Sequence, residues 1–121
     1  MTKIIFHILN IIFIILYIYP GSLLGFVIYK DILKQPQISP DFIVSSNHVY
    51  AFLFLSFLGL ISYLKSFKKI ILYLISISII LELLHLIIPN RSFQFSDLFG
   101  NIIGVLLSIF ILILFNFWRK K

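Results

Sequence analysis

Five side chains capable of chemistry stand close together in an otherwise greasy stretch: Glu82, His85, Arg91, Asp97 and Asn101. Glu82 and His85 are three residues apart, so on a helix they share one face. That Glu-x-x-His spacing recurs in metal sites of helical bundles. It also suits a proton-exchanging pair, because histidine titrates near neutrality and a nearby carboxylate tunes it. His48 offers a third member. A metal needs more ligands than this motif supplies, and His7, the remaining histidine, lies at the opposite end of the apolar pattern. The acid–base pair is therefore the preferred chemistry, with Glu82, His48 and His85 as candidate catalytic residues and no metal or other cofactor expected. Arg91 can meet a phosphate or carboxylate with its planar fork; an ion pair to Asp97 or Glu82 would use it equally. Asp97 follows Ser96 where a helix should begin, and a carboxylate there satisfies orphan backbone donors. Asn101, one turn deeper, cannot cap and is read as a hydrogen-bonding residue between helices. Arg91, Asp97 and Asn101 form the candidate ligand-binding set.

The elements that must position these groups are set by composition. The 121-residue chain is 61% hydrophobic and 12% charged. Soluble domains carry about 25% charged residues, so this chain has too few to cover a water-facing surface. It is read as one transmembrane domain spanning residues 1–121. No cysteine is present, which removes disulfides and thiolate sites. The net charge of +6 comes mostly from lysines and arginines at the ends of apolar runs. That placement indicates topology control and anionic lipid headgroups, not nucleic acid.

Four runs approach the ~20 residues a spanning helix needs. They cover about residues 4–29, 48–64, 69–88 and 97–118, with an outer loop at 30–47. The expected fold is all-α, a four-helix transmembrane bundle. Pro20-Gly21 interrupts the first run and either kinks it or ends it. No small-x-small site follows that run, so cleavage as a signal peptide is not expected. Lys3, Lys65, Lys68, Lys69, Arg119, Lys120 and Lys121 fall on one side of such a bundle. The positive-inside rule then puts both termini in the cytoplasm, within the cell membrane. Glu82, six residues before Ile88, would lie about 9 Å below the outer helix end.

Helical spacing groups the polar residues into three stripes. They are His48, Phe52, Leu55, Gly59, Ser62; then Ser78, Glu82, His85, Pro89; then Asp97, Asn101, Gly104, Ser108. Small residues in two of them, with Gly100 and Gly104 as a GxxxG pair, allow close helix approach. The stripes are expected to face one another and enclose the polar groups.

The order His48, Glu82-Leu83-Leu84-His85, Pro89, Arg91, Asp97, Asn101, Gly104 resembles the VanZ-like family of small bacterial multi-span membrane proteins. The match covers about residues 44–110. The family usually has Asp-Lys four and three residues before the histidine, where this chain has Val44 and Ser45, and glutamine where it has His85. The resemblance implies a cell-envelope protein, with some members linked to glycopeptide (teicoplanin) resistance. Three functions fit the residues: an outward pocket binding an anionic lipid or lipid-linked envelope precursor; an intramembrane enzyme using Glu82 with His48 or His85 on a lipid substrate; or an assembly protein whose polar cluster only locks the bundle. A membrane-protein partner or a second copy of the chain fits the last.

Overall fold

A computed structural model describes residues 1–33, 36, 41, 45–89 and 92–119. Among these the chain is helical without strands: α1 (Thr2–Ile18), α2 (Leu23–Tyr29), α3 (Ser46–Ser62), α4 (Phe67–Leu84) and α5 (Phe95–Arg119). A single 3-10 turn, Leu64–Ser66, joins α3 to α4.

The first apolar run is broken, not kinked. Tyr19 precedes proline and is driven out of the helical region, to φ −65° and ψ 132°. Gly21 follows at φ +109°, and a Cβ there would meet the Ile32 carbonyl oxygen at 2.9 Å. Ser22 then caps α2 by accepting from the Gly25 N–H at 2.9 Å. The result is an 85° turn between α1 and α2. The expected single segment at 4–29 is thus two helices.

The third run also ends early. α4 stops at Leu84, and His85 takes the cap position with its N–H on the Glu82 carbonyl. Residues 86–88 continue as turns, so Glu82 lies two residues from the helix end and Pro89 is exposed. By length and composition, α5 over Phe95–Trp118 is the one described helix able to cross a membrane by itself. α1 and α2 pass the same test only if taken together. α3 is 17 residues long, and the 18 residues of α4 include Lys68, Lys69 and Glu82.

α3 packs most extensively on α5. Their starts are tied by a backbone bond from Ser45 N–H to the Ser96 carbonyl, 3.1 Å. Glycine permits this closeness. A Cβ on Gly104 would stand 2.7 Å from the Val49 carbonyl oxygen and 2.8 Å from the Leu53 nitrogen; one on Gly100 would stand 2.8 Å from the Ser45 carbonyl oxygen. Ser108 extends the seam, its hydroxyl donating to the Leu53 carbonyl at 2.7 Å. Phe6 of α1 fills the notch left by Gly59. Phe52, Leu55, Leu60, Leu74 and Val105 complete the sealed interior. Outward faces of α1 and α5 stay apolar, with Ile4, Ile8, Ile11, Phe110, Phe115 and Trp118 exposed.

Because the Gly104 neighbours are backbone atoms, Gly104→Ala cannot be absorbed by a rotamer change. It should cost about 1–3 kcal/mol in denaturant unfolding of the detergent-solubilised protein. Leu106→Ala, on the exposed face of the same helix, should stay within about 0.5 kcal/mol. Equal effects would refute the tight seam.

Candidate functional site

The ends of four helices meet at one end of the molecule. α1 and α4 arrive with their C-termini, α3 and α5 with their N-termini. Glu82 occupies the centre and is fully buried. Its Oε1 accepts from the Gln94 backbone N–H at 3.2 Å and faces His85 Nδ1 at 3.3 Å. Among the described residues its Oε2 has no hydrogen-bond partner, and it is aimed at His48 Nε2, 3.9 Å away.

His85 is held from both sides. Nε2 lies 2.9 Å from the Tyr17 carbonyl, which can only accept, so Nε2 carries a proton. Nδ1 faces Glu82 Oε1 at 3.3 Å, so both ring nitrogens are engaged. The Tyr17 carbonyl is in the last turn of α1, where the Pro20 break deprives it of a helical partner. The break in α1 and the orientation of His85 are thus one arrangement. The Tyr17 ring stacks on His85 (centroids 5.9 Å, 14°) and meets His48 edge-on at 5.2 Å. Its hydroxyl donates to Asn101 Oδ1 at 3.1 Å, and Asn101 Nδ2 donates to the Ser78 carbonyl at 3.0 Å. Asn101 therefore stitches α5 to both α1 and α4.

His48 stands between two carboxylates. Nε2 faces Glu82, while Nδ1 is 3.7 Å from Asp97 Oδ1 and 2.9 Å from Ser45 Oγ. Asp97 lies in the first turn of α5, which begins at Phe95. Gln94 takes the cap position instead, its carbonyl accepting from the Asp97 and Leu98 N–H groups. Asp97 is therefore available to His48.

The structure brings together His48, Glu82, His85, Asp97 and Asn101. Arg91 lies outside the described residues, between His85 and Gln94 in the chain. Tyr17, Ser45 and the Gln94 backbone are site members that sequence reasoning missed. Tyr17 three residues before a proline was the one available signal, since a freed carbonyl near a helix break needs a donor.

A cleft of about 530 Å³ opens beside this cluster, between α1, α2 and α3. Phe13, Leu16, Leu24 and Phe54 line its apolar part. His48, Asp97, Ser45 and Asp41 form its polar end. Asp41 also holds the start of α3, accepting from the Ser46 N–H at 3.0 Å. Glu82 lies behind His48, shielded from the cleft.

Comparison with curated proteins finds no match, and neither does comparison with solved structures. A family model described as VanZ/LLP1 matches residues 4–116, a range that includes all four helix ends of the polar cluster. The chain belongs to the VanZ/LLP1 family.

Proposed function

We propose that this VanZ-family protein is a multi-span protein of the cell membrane whose cleft binds an anionic lipid or lipid-linked envelope precursor. The observation that carries this reading is the division of the cleft. One part is lined by aromatic and aliphatic side chains, and one end by His48, Ser45, Asp41 and Asp97. An amphiphile has the same division, and ligand sites combine apolar walls with a few convergent polar groups. The outward apolar faces of α1 and α5 suit hydrocarbon surroundings. In that setting α1 with α2, α3, α4 and α5 make four spans, with Lys65, Lys68 and Lys69 on the cytoplasmic side beside both termini. Arg91, on the outer side, meets the anionic group. A role in glycopeptide (teicoplanin) resistance follows if the ligand is a cell-wall precursor.

A second reading rests on His48, which directs one ring nitrogen at each of two carboxylates. That arrangement lets His48 exchange a proton with a headgroup bound at the cleft's polar end, with Glu82 behind it as its acid–base partner. Turnover of a lipid-linked substrate by purified protein separates it from binding alone.

The binding reading is tested by lipid that copurifies in mild detergent. Ala51 lines the cleft wall on α3, one helical turn past His48. Ala51→Trp should fill the cleft and reduce bound anionic lipid several-fold in a protein that still elutes as a folded species. Arg91→Ala should reduce the anionic fraction selectively. Unchanged lipid content in both would contradict the reading.

Topology is tested at Ser92, which is exposed. In the cysteine-free chain, Ser92→Cys should react with an impermeant maleimide on intact cells. Reaction only after permeabilisation would reverse the orientation.

A further inference from the structure

We infer that His48, Glu82 and Asp97 form a divalent transition-metal site at the polar end of the cleft. One donor atom from each residue lies within 4.8 Å of the other two. The three come from three helices, α3, α4 and α5. The second observation is Glu82 Oε2: it is fully buried, has no hydrogen-bond partner among the described residues and is directed at His48. A buried carboxylate oxygen in that condition is costly. A cation between Glu82, His48 and Asp97 gives it a partner.

The donor set selects the metal. One imidazole with two carboxylates suits zinc and neighbouring first-row ions, whereas calcium and magnesium favour all-oxygen shells. Zinc bonds of 2.0–2.2 Å place tetrahedral ligands ~3.4 Å apart, so a separation at the 4.8 Å bound must close by about 1.4 Å. Asp97, at the partly open cleft wall, can make that movement. Three protein ligands leave one position open, the pattern of zinc sites that bind a further group. His48 and Asp97 both line the cleft, so the open position faces it.

His85 is not a ligand, despite its Glu-x-x-His spacing. Its Nε2 is taken by the Tyr17 carbonyl and its Nδ1 by Glu82 Oε1. It is a positioning residue, fixing the carboxylate from behind as outer partners of metal ligands do. Ser45 Oγ holds His48 Nδ1 in the same way. The metal would also resolve a charge conflict. Asp41 and Asp97 line the cleft's polar end, with Glu82 behind His48, so an anionic headgroup there would meet repulsion. A dication offsets most of that negative charge and offers the headgroup a ligand position. This last point rests on the proposed cleft ligand; the metal site does not.

Zinc alone, titrated into the EDTA-treated full chain in lipid-free detergent, tests the site independently of any lipid. One zinc per chain is expected, and cobalt in its place should show the absorption of a tetrahedral ion. Asp97→Asn and Glu82→Gln should each weaken zinc binding by more than about 100-fold, and His85→Gln by about 10-fold with the stoichiometry kept. His7→Ala, at the other end of the molecule, should bind as the native chain does. Folded native protein that takes up no zinc and gives no tetrahedral cobalt spectrum would overturn the site without using any variant. Unchanged affinity in Asp97→Asn and Glu82→Gln, or loss in His7→Ala alone, would also overturn it.

Discussion

A carboxylate sealed inside an apolar bundle is the constraint from which the rest of this structure follows. Desolvating an ionised group costs several kcal/mol unless partners replace the lost water. Glu82 is fully buried, and each surrounding element answers that need differently. α4 supplies His85 one turn later. The segment entering α5 supplies the Gln94 N–H, and α3 turns His48 toward the remaining oxygen. α1 takes part indirectly, through the Tyr17 carbonyl exposed by the Pro20 break. The small-residue seam of Gly100, Gly104 and Ser108 lets α3 and α5 approach closely enough for His48 and Asp97 to reach the same point.

The proposed function rests on where that cluster opens. The interior side is closed by Tyr17, Asn101 and Ser78, which tie three helices with directional hydrogen bonds. The other side, through His48 and Asp97, meets a cleft whose remaining walls are apolar. The chain belongs to the VanZ/LLP1 family, and the proposed binding of an anionic amphiphile rests on this division of the cleft. The Val44-Ser45 departure from the family pattern acquires a physical reading as well. Ser45 hydrogen-bonds the His48 ring, so this chain steadies its histidine with a neutral hydroxyl.

The buried stripes were legible before the fold because helical spacing alone puts His48, Phe52 and Leu55, or Asn101, Gly104 and Ser108, on common faces. Three things were not legible. The first was whether Pro20 bends or ends its helix, which the close contact between Gly21 and Ile32 decides. The second was the end of α4, since nothing in Leu84-His85-Leu86 reads as a stop; His85 leaves the helix while its side chain is held by Glu82 and Tyr17. The third was the role of Asp97. Local sequence makes it a cap, and only the α3–α5 seam brings His48 within its reach. Long-range contacts decided each case, and a single sequence does not encode them locally.

Glu82 is a buried acid whose desolvation is offset by its partners, His85 first among them. The most direct measurement is the unfolding free energy of His85→Leu, Glu82→Leu and the double variant in detergent. His85→Leu alone should cost about 3–5 kcal/mol, because it leaves the buried carboxyl group without its nearest side-chain partner. Removing Glu82 as well should recover part of that loss, leaving the double variant more stable than His85→Leu. Simple additivity of the two losses, within about 0.5 kcal/mol, would contradict it.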